Sequence, residues 1–110
     1  MSDSNRMELS GRVTNAPVLR ATASGHSVLN LTVESLFSSG PQKGERAGKY
    51  SVVLWKGFAE ENTGLTKGNR VFLVGRLQNR DLAGPTEPPH IISEIMVDDP
   101  GHHTFICQSW

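Results

Sequence analysis

Two glycines set inside strict alternations constrain this chain more than any other feature. Met7, Leu9, Gly11 and Val13 alternate with Arg6, Glu8, Ser10 and Arg12, and Val71, Leu73, Gly75 and Leu77 alternate with Phe72, Val74, Arg76 and Gln78. A period of two belongs to a strand with one face in a core and one toward water. Glycine inside such a pattern lets the sheet coil tightly or another backbone approach closely. Small barrels need both.

The other alternations fit that frame. From Ser27 to Ser35, Leu29, Leu31 and Val33 share one face, and Val28, Asn30, Thr32 and Glu34 the other. From Lys49, the residues Tyr50, Val52 and Leu54 alternate with Ser51, Val53 and Trp55, and His90 to Asp98 is a fifth, isoleucine-rich strand. Asn15-Ala16-Pro17, Thr22 to His26, Lys67-Gly68-Asn69 and Asp99-Pro100-Gly101 read as bends or turns. Gly57 to Thr66, with Phe58 and Leu65 on one side, reads as a short helix. The stretches Phe37–Gly48 and Asp81–Pro89, rich in glycine or proline, read as exposed loops. His102 to Trp110 has no clear period, so it docks on the body or on a partner.

This order predicts an all-β fold: a five-stranded Greek-key barrel of the OB type, with one short helix between strands 3 and 4. An SH3-like barrel is the main rival. The barrel spans 1–101 and a C-terminal segment 102–110, since a chain of 110 residues suits one domain with its own core.

The single cysteine, Cys107, has no intramolecular disulfide partner, and Met-Ser-Asp-Ser-Asn-Arg lacks the apolar core of a secretion signal. No apolar run approaches the roughly 20 residues of a membrane span. A soluble cytoplasmic protein is expected. Formal net charge is zero, from 11 basic and 11 acidic residues. Between Arg12 and Arg80, however, ten basic residues face four acidic ones, a surplus of six that predicts a basic face.

Trp55 shares a strand face with Lys49 and Ser51 and precedes Lys56. Two readings stay open for it: packing against another subunit or loop, and a stacking platform for a base. Signatures of catalysis are missing. Adjacent His102 and His103 with Cys107 lack a fourth metal ligand, and neither Lys43-Gly44 nor Lys67-Gly68 sits in a phosphate-binding loop pattern. No Gly-x-Ser-x-Gly occurs, and Glu60-Glu61 reads as a helix surface pair. Neither a cofactor nor an enzyme is expected, and glycan binding would call for a secretion signal.

Leu9-Ser-Gly11-Arg-Val13, Pro17, Arg20, Thr22, Ser24-Gly25, Val28-Leu-Asn30-Leu31-Thr32, Tyr50 to Glu60, Lys67-Gly68 and Gly75 to Arg80 resemble, in order and spacing, the bacterial single-stranded DNA-binding protein family. Primosomal replication protein N, of the same wider group, is the runner-up, and would make the barrel chiefly a protein-interaction module for replication restart. The resemblance implies a homo-oligomer, dimer or tetramer, that binds and protects single-stranded DNA in the nucleoid during replication, recombination or repair, with replication or restart proteins as partners. Carried over by position, Trp55 matches a family stacking aromatic, which favours the platform reading, and Phe37 is a substitute platform. Arg12, Lys43, Lys49, Lys56, Arg76 and Arg80 would contact phosphates. Lys49 and Leu82 stand at or near positions that are usually aromatic, so binding is expected to lean more on charge. The chain ends Phe-Ile-Cys-Gln-Ser-Trp instead of in the family's acidic tail with Pro-Phe, so recruitment through such a tail is not expected.

Overall fold

A computed structural model describes residues 3–38, 45–82 and 90–108. Among them the order is β1 (Met7–Val13), β2 (Val18–Ala21), β3 (Ser27–Ser38), β4 (Glu45–Trp55), α1 (Gly57–Glu61), β5 (Arg70–Leu82), β6 (His90–Val97) and β7 (Thr104–Cys107). Pairing runs β1-β3-β4-β6-β5, and β5 returns to β1, which closes five strands into a ring. β4 and β6 pair in parallel and the other ring pairs are antiparallel. This is the connectivity expected of an OB barrel.

Both glycines lie on the β1–β5 seam, Gly11 opposite Val71 and Gly75 opposite Met7. A Cβ at Gly11 would collide with the Glu34 carbonyl oxygen of β3, and one at Gly75 with the Met96 carbonyl oxygen of β6. Any side chain at either point would force neighbouring strands apart where the barrel shuts. Inside, Leu29, Leu31, Val33, Val52, Leu54, Val71, Leu73, Ile95 and Val97 form one buried cluster. Each such side chain contributes roughly 1.5–3 kcal/mol on burial, so the alternation read from the sequence is the alternation that drives closure.

The structure departs from the sequence reading at the margins of the barrel. The stretch read as a loop from Phe37 to Gly48 is strand at both ends, with Leu36 opposite Ala47, Phe37 opposite Arg46 and Ser38 opposite Glu45. Beyond the ring, this two-stranded ribbon has a backbone ladder but no core to face, so no apolar period marks it. Tyr50, on the inward-facing parity of β4, is exposed as well, two residues before the pairing of β4 with β6 begins at Val52. β5 extends to Leu82 opposite His90. β2, absent from the sequence reading, pairs with β3 along an edge where all four residues are exposed. β7 docks the terminal stretch on β5, with Phe105 and Cys107 against the core.

The helix is shorter than read. It ends at Glu61, where Asn62 turns inward and its Nδ2 donates to the Phe58 carbonyl at 2.7 Å. Phe58 and Leu65 still reach the core, through a helical turn and a following turn. Among the described residues, no helix is long and apolar enough to cross a membrane.

Candidate nucleic-acid interface

Strand register gathers the outward-facing residues of distant segments. Val18, Asn30, Val53, Met96 and Arg76 line up across five strands, and Arg20, Val28 and Trp55 form a second row beside them. Val28, Val53 and Met96 are buried on the outside of the barrel as a second, smaller cluster, with Trp55 packed on it. The face read as the wetter one is therefore apolar at this end, and Trp55 is half-buried rather than freely exposed. Its ring stands outside the main core. Its Nε1 is buried and has no hydrogen-bond partner among the described residues, an arrangement that costs about 1–3 kcal/mol.

The chain leaves β4 sharply after Trp55. Lys56 has φ 55° and ψ −121°, a conformation that suits glycine and costs a side-chain-bearing residue on the order of 1–3 kcal/mol. Its amide donates to the Ser27 carbonyl at 2.8 Å, which ties down the end of the strand and with it the indole.

A groove of ≈ 300 Å³ opens beside this ring, with Val28, Val53 and Met96 as its apolar lining and Arg20, Asn30, Gln78, Arg80 and Glu94 as its polar one. That volume is at the small end of ligand pockets. Arg20 Nη2 donates to Asn30 Oδ1 at 2.9 Å. Arg80 Nε lies 3.4 Å from Glu94 Oε1. Two further hollows reach Trp55, one shared with Lys56, Phe58, Glu61 and Asp98, the other with His26, Lys56, Arg76 and Asp98. Cations and carboxylates thus both line these hollows, and the surround is mixed in charge rather than uniformly basic.

Arg76 shows how this mixing alters the expected inventory. Its Nη2 and Nε donate to the two oxygens of Asp98 at 2.7 and 3.3 Å, and its Nη1 donates to Gln78 Oε1 at 2.9 Å. These hydrogen bonds to Asp98, and its negative charge, hold the guanidinium above its ordinary pKa against the opposing effect of burial. All three nitrogens are engaged within the protein, so Arg76 is a brace between β5 and the end of β6. Beyond it, the Asp98 and Asp99 amides both donate to His103 Nδ1 at 3.1 Å. Asp99 is held below the usual carboxylate range by a hydrogen bond with His102 and another from the Gly101 amide.

The other expected contacts are dispersed. Lys56 and Arg80 border Trp55. Lys49 lies on the same face of β4 but six residues away, about 20 Å along the strand. Arg12 lines a separate hollow with Glu34 and Arg70. Phe37 is 48% exposed on the distal ribbon and, by its parity, on the face opposite that of Trp55's partner Val28. Lys43 lies outside the described residues, as does the side chain of Leu82. Sequence reasoning left Arg20, Asn30, Gln78 and Glu94 out of the site. Arg20, Asn30 and Gln78 had a signal of a kind, since all three fall within the stretches that resemble the family; Glu94 owes its place to register alone.

Comparison with known proteins agrees with this architecture. Residues 4–102 match the model of the single-strand binding protein family. The single-stranded DNA-binding protein of Oceanobacillus iheyensis is 34% identical over 98 residues, covering 86% of this chain and 60% of that protein. Single-stranded DNA-binding protein 1 of Chlorobaculum tepidum is 38% identical over 80 residues, covering 69% of this chain and 49% of that one. The chain therefore spans about half to three-fifths of these relatives' length. In structure, the Plasmodium falciparum SSB in complex with ssDNA superposes with a TM-score of 0.85 at 20% identity, over 99% of this chain and 98% of that one. With a closed OB barrel, an outward aromatic on the second hairpin and a family match across nearly all of its length, this chain is a member of the single-strand binding protein family.

Proposed function

We propose that this domain binds single-stranded DNA without requiring a particular sequence, and protects it during replication, recombination or repair. The observation that carries this reading is the groove on the outer face of the barrel, where Trp55 stands on an apolar cluster between Arg20, Arg80 and Lys56. The aromatic face accepts any base, since every base has a π-face, and the cations take phosphates without reading sequence. OB barrels place such surfaces on their second and third strands, which are β3 and β4 here. The same reading has the protein acting as a dimer or tetramer on the nucleoid in the cytoplasm, as the family resemblance implies.

The test is a titration of labelled oligo-dT followed by anisotropy, with tryptophan fluorescence recorded in parallel. Binding should weaken steeply as salt rises, because each phosphate contact releases condensed counterions. The Trp55 emission should be quenched, with Trp110 as background. Absence of any anisotropy change in low salt would sink the proposal.

A further inference from the structure

Arg76 and Arg80 lie four residues apart on β5, both outward, yet their guanidinium groups are used differently. The nitrogens of Arg76 are all bonded to Asp98 and Gln78. The closest approach of Arg80 to a carboxylate is longer, Nε to Glu94 Oε1 at 3.4 Å, and its side chain is 49% exposed. The side chain of Glu94, by contrast, is 6% exposed. A carboxylate buried against a partner at that distance is a poor device for stability, since the contact returns less than removal from water costs.

From this asymmetry we infer that Glu94 is a positioning residue for Arg80. It holds Nε from within the groove wall, so that the two Nη groups, with four N–H donors in a planar fork, face outward to a phosphate passing Trp55. This rests on the single-strand reading above and deepens it. The fork needs both ends of the guanidinium, one for the protein and one for the ligand, and a free arginine would lose rotamer entropy on each contact that Arg80 has already lost.

The consequence runs against simple electrostatics. Removing an acid beside a polyanion's path ordinarily tightens binding, whereas Glu94→Gln is expected to weaken oligo-dT binding by roughly three- to tenfold. The slope of log affinity against log salt should become shallower by about one, the loss of one phosphate contact. Arg80→Ala should do the same, and the double variant should be no worse than either single one, because both remove one contact. A purely structural Glu94 would add its loss to that of Arg80→Ala and leave the salt slope alone, and tighter binding by Glu94→Gln would equally overturn the inference. Should that variant fail to fold, Arg80→Lys in the unmodified background decides: a lysine has one ammonium, which Glu94 would neutralise, so binding should fall as in Arg80→Ala, and retention of full affinity would refute positioning. Lack of oligo-dT binding by the unmodified protein is a separate result, which removes the parent reading.

Discussion

The β3–β4 hairpin carries an aromatic near each end, and the two sit in opposite circumstances. At the barrel end, Trp55 has β2 and β3 on one side and β6 and β5 on the other, and it packs on Val28, Val53 and Met96. At the distal end, Phe37 lies where β3 and β4 pair only with each other among the described residues, and it is exposed. Neighbouring strands supply walls, and walls give an aromatic ring something to pack on. A two-stranded ribbon supplies a ladder of hydrogen bonds and nothing for a ring to rest on.

The sharpest way to break this contrast is to remove the floor under one end. Met96→Ala empties part of the outer cluster, and with Met96 buried it should cost about 2 kcal/mol of stability, read as a lower denaturant midpoint at unchanged slope. An unchanged midpoint would show that the cluster is not a packed element. Next in size is binding. Trp55→Ala should lower single-strand affinity by about 1–3 kcal/mol, measured by anisotropy, and Phe37→Ala by clearly less, because an unwalled ring must be ordered at the moment of contact. Equal losses would mean that the ribbon grips DNA as well as the groove does.

The smallest expected effect is at the turn after β6. Asp99 is exposed, and its pKa is lowered by His102 and Gly101. A carboxyl with a depressed folded pKa stabilises the fold above its unfolded value, near 4, and that contribution is lost as pH falls through the folded value. Asp99→Asn should therefore lower stability slightly at neutral pH and bring the two proteins level in acid, flattening the loss below about pH 4. Melting curves of the two proteins that stay parallel into acid would contradict the turn's role.

Legibility followed the same divide between walled and unwalled regions. Where residues alternate because one face is buried, as in Leu29 to Val33 or Val71 to Gly75, the pattern could be read directly. β2 and the ribbon escaped because exposed backbone pairing selects no side-chain type. Trp55 was correctly set on the outward parity, but the apolar company there was not foreseen, since Val28 and Met96 come from other strands.

The sequence by itself determined the barrel, through period-two burial and two glycines where strands come too close for a Cβ, and it determined that Trp55 points out. Which arginine is spent and which is presented was decided only in three dimensions. Arg76 and Arg80 are alike in type, strand and parity, and they differ because β6 brings the residue just past its end, Asp98, to one and Glu94 to the other. Those partners lie 22 and 14 residues away along the chain, and only strand register, a nonlocal property, assigns them.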